Sequence, residues 1–422
     1  MQEPYVPSVA DLNEVTSLAP QTHLLESSRK KEYEWLKHAI SKLHNEELAE
    51  KEWISWSAYH AMKQPHEIRK ITRIALLPLF TEHAHTPAMI SHSMRVLKKI
   101  TEYLNAGQTP VFTVDQPLYA LAKKIQWEIG GELSEDKFVV LLAPFHTEDK
   151  SLKLPGQLLE GSGWLSVLVK AGVTTSGKAE AAEKGSHVTR TRYAHQVLAT
   201  ALYQLLIEAY DAYANVDVNE GISFEDFKKL KINKEPQFRF WMQVLELELD
   251  VFQYLRSIRE GNFDLYIQML GKLVHWFFSM GHTHYARWVP VHIRDMIMLK
   301  GRNPDVYNAF KKGKFVITKT LNPFSKMATD QAHEQENEKI KGDGGAVGLT
   351  EDPAALLRWM VAGPEVARAV AQFEAHRDAS LSGKEHLHHE QTSSIQRAFH
   401  RDAKNTANVI REMGNPFAED TG

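Results

Sequence analysis

The chain has 422 residues, of which 43% are hydrophobic and 24% charged, and its net charge is −3. That length allows two or three folded units with a sizeable core, and the charge lacks the global basic footprint of a nucleic-acid protein. The chain contains no cysteine, which excludes disulfides, cysteine-ligated zinc and a thiol nucleophile.

Residues 1–25 carry Pro, Ser and Thr without apolar periodicity and read as a flexible lead-in. No basic segment precedes an apolar core there, and no apolar run in the chain approaches the roughly 20 residues of a membrane span. A nuclear or cytoplasmic location without a membrane partner is therefore expected. Residues 26–105 read as an N-terminal helical region. Trp35, Leu36, Ile40 and Leu43 mark a packing face, and Thr86-Pro87 is a helix start. His83, His85 and His92 lie near one another, but their spacing is not one helix face, so a metal site is the minor reading.

The pattern changes over residues 106–150. TPVFTVD is a strand-length apolar run ending on Asp115, and PLYALAKKIQWEIGG follows as a helix with Pro117 in its first turn. FVVLLAP is a second buried-type strand, followed by Phe145, His146, Thr147 and Glu148. Continuous apolar strands separated by a helix predict a parallel pair. Ligands collect at the carboxyl ends of such strands, where Asp115, His146 and Glu148 stand. Asp115 before a proline is equally a helix N-cap, and the two uses are compatible.

Residues 151–310 read as a helical insertion with strong apolar faces in VLATALYQLLIEAYDAY, FRFWMQVLELELDVFQYLRSI and LYIQMLGKLVHWFFSM. Within it, GSHVTRTRYAHQ carries Arg190 and Arg192 with His187 and His195, suited to phosphate contacts or to a polar helix start. GHTHYARWVPVHIRDM carries Arg287 and Arg294 beside Asp295, which reads either as phosphate anchors or as a structural Arg–Asp network. Residues 311–375 return to the core. FVIT offers a short strand, and Asp330, Glu334, Asn337 and Lys341 fall on one stripe of a helix spanning 330–341. That helix runs into Gly342, Gly344, Gly345 and Gly348. An active-site helix has this pattern, and so does a solvated helix with a glycine stop. Two further helices are expected after 350, broken at Gly363-Pro364. Residues 376–422 form a C-terminal helical arm and tail. Its HLHHE (386–390) has a metal-like composition and would set His386 and Glu390 one helical turn apart, although exposed histidines are usually solvated.

Acids thus stand at three distant points: Asp115, Glu148, and Asp330 with Glu334. Phosphoryl-transfer nucleases use carboxylates gathered from distant segments to hold two divalent ions about 4 Å apart. Magnesium favours a few carboxylates plus water.

The segments VDQPLYALAKKIQW, FVVLLAPFHTE, GSGW, SHVTRTRYAHQ, HYARWVPVHIRDM and DQAHEQENEKIKGDGGAVGLTE resemble a set of uncharacterised multi-copy animal proteins. More distantly, Asp115-Gln116, Phe145-His146 and the Asp330, Glu334, Asn337, Lys341 pattern resemble a domain of unknown function found in transposon-related proteins. The resemblance implies descent from a DDE-type transposase. The fold expected is an α/β core, a degenerate ribonuclease-H-like one with parallel strands, carrying a large all-α insertion and mostly helical overall. It implies Asp115, Glu148 and Glu334 as catalytic ligands of Mg²⁺ or Mn²⁺, Asp330 as a reserve ligand and His146 as an orienting group. Asn337 and Lys341 would meet the scissile phosphate, while Arg190, Arg192, Arg287 and Arg294 would hold nucleic acid or brace the acids. DNA and a second copy of the chain are the candidate partners. Three departures stand against this: Pro144 occupies the place of an expected acid, the sheet is short of strands, and no separate DNA-binding module is visible. They favour a rival reading, a non-catalytic interaction protein on the same scaffold. A hydrolase acting on a small phosphorylated substrate is a third reading, without a phosphate-loop motif to support it.

Overall fold

The computed structural model describes residues 21–64, 70–74, 83–177, 187–217, 221–341, 353–381 and 386–418. Helix α1 (Thr22–Leu43) buries Trp35, Leu36, Ala39, Ile40 and Leu43, the face its apolar spacing predicts. It starts four residues before the expected boundary at 26, because Leu25 in its first turn already packs on the core. Residues 1–20 lie outside the described residues. Helix α2 (Trp56–Lys63) follows, and α3 (Pro87–Leu104) begins where Thr86 accepts the Met89 N–H. Residues 70–74, within the region expected to be helical, are not helical.

Strands β1 (Val111–Val114) and β2 (Val139–Leu142) pair in parallel, Val111 opposite Val139 and Val114 opposite Leu142. Helix α4 (Gln116–Glu128) makes the crossover between them, and α5 (Pro144–Leu158) leaves the end of β2 at once. Every residue of β2 is buried, which is why the run reads as continuously apolar.

The helical body comprises α6 (Trp164–Lys170), α7 (Val188–Ala214), α8 (Phe224–Lys234), α9 (Pro236–Glu260), α10 (Phe263–Ser279), α11 (Thr283–Arg302) and α12 (Pro304–Lys311). Its centre is α9, which packs on α1, α5, α7, α8 and α10. Leu249, Val251, Phe252 and Leu255 are each at most 1% exposed. Each contributes about 2 kcal/mol, so α9 supplies far more cohesion than a sheet of four residue pairs. Gly261 ends α9 in the left-handed conformation, and Asn262 caps α10 by accepting the Leu265 N–H.

A two-residue antiparallel ladder, β3 (Ile317–Thr318) with β4 (Lys326–Met327), delivers the chain to α13 (Thr329–Lys341). Helix α13 lies against α5 and β1. Two helices close the chain, α14 (Pro353–Leu381) and α15 (Ser393–Met413), the latter packed on α7. The break expected at Gly363-Pro364 does not occur, since α14 runs through it. Gly363 has no Cβ to clash with the proline ring, and the ring's fixed φ is helical. The molecule is mostly helical with one small parallel sheet. Among the described residues the strands form two separate two-stranded sheets, and no helix is long and apolar enough to cross a membrane.

Candidate acidic site at the strand ends

Asp115 leaves β1 as the cap of α4, its Oδ1 accepting the Leu118 N–H at 3.2 Å. The N-cap reading of this residue therefore holds. The second strand end is built differently. Helix α5 starts on Pro144 with no cap from its own Ala143. Its first-turn donors turn instead to a residue 185 positions away. The Phe145 N–H reaches Asp330 Oδ1 at 3.2 Å and Oδ2 at 3.0 Å, and the His146 N–H reaches Oδ2 at 3.0 Å. The His146 ring joins them, with Nδ1 3.0 Å from the same Oδ2. A carboxylate at a helix N-terminus meets both unpaired N–H groups and the positive end of the dipole. Asp330 is only 8% exposed, so this is a buried contact that fixes α13 across the start of α5.

Glu334 follows one turn later on the same stripe. Its Oε1 lies 3.9 Å from His146 Nε2, and its side chain is 49% exposed. The His146 imidazole is raised above its ordinary value. The hydrogen bond to Asp330 is the largest cause, burial opposes it, and the charges of Asp330, Asp115 and Glu334 add to it. Asp330 and Glu334 of α13 thus both approach the ring at the start of α5, and the charge of Asp115, at the end of β1, also bears on it. Two tyrosines hold the turn beneath it. Tyr254 donates to the Pro144 carbonyl at 2.9 Å and Tyr285 to the His146 carbonyl at 3.3 Å. Burial, followed by the charges of Asp149, Asp115 and Asp330, pushes the Tyr285 phenol up. Neither tyrosine was singled out by sequence: Tyr254 sits within an apolar helical pattern that reads as core, and Tyr285 stands among histidines and arginines that draw the reading instead.

Glu148 goes elsewhere. It is 3% exposed and pairs with the Arg192 guanidinium on α7. Two residues along a helix point to nearly opposite sides, so His146 and Glu148 face different partners. Arg294 joins a structural network: it binds Glu135 at 2.7 Å and pairs with Asp295, and both acids also hold the buried Lys123 ammonium, at 2.6 and 2.7 Å. Burial pushes the Glu135 carboxyl up, but Lys123, Trp127 and Arg294 outweigh it and hold it at about 2. Arg190 and Arg287 are exposed, and Asn337 is partly buried on α13. The side chain of Lys341 and the glycines from 342 to 348 lie outside the described residues.

The HLHHE segment is not a helix, so the expected one-turn pairing of His386 with Glu390 is absent. His388, His389 and Glu390 nevertheless bring donor atoms within 4.8 Å of one another, the one such group among the described residues. His388 Nδ1 already accepts the Glu390 N–H at 3.2 Å, and Glu390 accepts the Ser55 hydroxyl at 2.8 Å. Those bonds occupy lone pairs that a metal would need. At the strand ends the His146 ring lies between two acids, its Nδ1 3.0 Å from Asp330 and its Nε2 3.9 Å from Glu334.

A family model described as Domain of unknown function (DUF8702) matches residues 55–220 and 214–422. No curated protein and no solved structure matches the chain.

Proposed function

We propose, starting from the fact that the chain belongs to this family, that the acids around His146 form a divalent-metal site for phosphodiester cleavage or transfer on DNA, inherited from a transposase-like ancestor. The observation that carries the reading is that Asp330 and Glu334 of α13 approach the His146 ring to 3.0 and 3.9 Å at the carboxyl ends of parallel strands, where Asp115, from a second distant segment, also stands. The donor set fits Mg²⁺ or Mn²⁺, which favour a few carboxylate oxygens with water completing the shell. Asp115 and Glu334 are the ligands, with Asp330 beside them. Glu148 is left out, because its carboxylate is engaged by Arg192. A bound ion would supply Lewis acidity and an activated water.

The chain's own residues do the rest. Asp330 fixes the start of α5 and with it the position of His146. The His146 ring lies between Asp330 and Glu334, 3.0 and 3.9 Å from their carboxylate oxygens, and separates the two charges. Arg190 and Arg287, exposed on α7 and α11, are the phosphate contacts.

A second reading, a non-catalytic interaction protein, is favoured by the second strand end, where Pro144 replaces an acid and Glu148 is sequestered. Calorimetric titration with Mn²⁺ separates the two. Native protein is expected to bind, and Asp115→Asn and Glu334→Gln each to weaken binding at least about tenfold. Glu148→Gln is expected to keep the native affinity. The bound protein should also nick supercoiled DNA. Absence of binding in the native protein, or affinity unchanged in both acid variants, would hand the site to the interaction reading.

A further inference from the structure

A cavity of about 420 Å³ opens between α1, α2, the end of α9 and the segment leading into α13. Four cationic side chains line it: Lys31, Lys63, Arg259 and Lys326. Two acids do so as well, Glu34 and Glu260, but Glu260 is already engaged by Arg256 at 3.4 Å. The lining is therefore positive in balance.

Arg259 is the informative member. Its guanidinium carries five N–H donors, yet the one hydrogen bond it makes among the described residues is a long one, 3.5 Å to the Lys326 carbonyl. Loss of water and the neighbouring Arg192 push it down to about 10, against the partial support of Glu148 and Glu390. A partly buried guanidinium short of acceptors and close to a like charge gains from an anion, most of all from one that presents two oxygens to its planar fork.

The wall opposite is strained. Phe324 has φ 54°, in the left-handed region that a bulky residue rarely adopts. It is pinned there by Trp56 at 5.1 Å, by the stacked His60 ring at 5.5 Å, and by its N–H donating to Gln64 Oε1 at 2.8 Å. This bend sets Ser325 and Lys326 on the cavity lining. Strain of this kind persists where surrounding contacts enforce it, and it recurs at ligand clamps.

We propose that this cavity binds an organic phosphate of nucleotide size, with Arg259, Lys63 and Lys31 holding the phosphate. The volume is larger than inorganic phosphate needs and falls within the usual range of small-ligand pockets, about 300–1,000 Å³. The ligand is a nucleotide, either free or at the 5′-phosphorylated end of a strand. The site stands apart from the acids around His146 and does not depend on their role.

The test titrates the full chain calorimetrically with deoxyadenosine monophosphate, with inorganic phosphate, and with a short oligonucleotide bearing either a 5′-phosphate or a 5′-hydroxyl. Lys31 and Lys63 are exposed, so a Lys31→Gln, Lys63→Gln double variant should fold as the native chain does. It is expected to bind at least about tenfold more weakly, and Arg259→Gln to lose binding. Should Arg259→Gln fail to fold, the lysine variant carries the test alone. Tighter binding of the phosphorylated oligonucleotide than of the mononucleotide assigns a strand end, and the reverse assigns a free nucleotide. No binding of either at millimolar concentration overturns the proposal, as does a lysine variant with native affinity or an oligonucleotide indifferent to its 5′-phosphate when the mononucleotide does not bind.

Discussion

Asp330→Ala is expected to cost about 3 kcal/mol of folding stability, an unusually large loss for one short acidic side chain. The residue is 8% exposed and receives the Phe145 N–H, the His146 N–H and the His146 ring. Alanine leaves two helix N-terminal donors and an imidazole without their acceptor. An N-cap deletion alone costs about 1 kcal/mol, and each stranded donor adds to that. Asp330→Asn keeps an acceptor oxygen and should recover more than half of the loss. Asp115→Asn keeps the cap of α4 and should change stability by only a few tenths of a kcal/mol. Urea unfolding at constant m-value reads all three. A native-like midpoint for Asp330→Ala would show that the bond between α13 and α5 does not hold in solution.

Glu32→Ala is expected to cost about 3–5 kcal/mol, and Glu32 also sets part of the acid sensitivity of the fold. Its carboxylate is fully buried, accepting from Arg256 Nε at 2.6 Å and Trp56 Nε1 at 2.9 Å, with His60 Nε2 at 3.1 Å. Alanine would strand the Arg256 head, 1% exposed, with only Glu260 at 3.4 Å as counter-ion. Burial pushes the Glu32 carboxyl up, but His60 and Arg256 outweigh it and hold it at about 2, against 4.5 when unperturbed. A depressed carboxyl contributes stability above its unfolded value and loses it as pH falls toward its folded value. The native chain should therefore lose stability steadily between about pH 4.5 and pH 2. In Glu32→Gln, which keeps the shape without the charge, stability at neutral pH is lower and that slope is shallower. Urea midpoints at several pH values in this window decide it, and an unchanged slope would remove Glu32 from the account.

The legible parts of the fold were those set by local periodicity. TPVFTVD and FVVLLAP read as parallel strands because both are continuous apolar runs of strand length, and the second, buried along its whole length, is apolar throughout. The stripe of Asp330 and Glu334 was legible because both project from one side of a helix, and both meet His146. What sequence could not show were partners fixed by packing. Glu148 looked available for a metal, but Arg192, 44 residues away, covers it once α7 crosses α5. Arg294 looked like a phosphate anchor as much as a partner of the adjacent Asp295, and its second acid, Glu135, became visible only with α11 packed on α4. Asp330 was placed as a reserve ligand. Its function as a helix cap needs the start of α5, at the other end of a long insertion, and no local signal announces that.

The central claim is that Asp115 and Glu334 hold one divalent ion beside His146, and it is tested most directly by Mn²⁺ broadening of the histidine ring resonances. With substoichiometric Mn²⁺, His146 should broaden first among the 21 histidines, and this selectivity should disappear in both Asp115→Asn and Glu334→Gln. If His146 stays sharp while His388 and His389 broaden, or if the acid variants leave its broadening intact, the acids at the strand ends do not bind the metal and the claim is wrong.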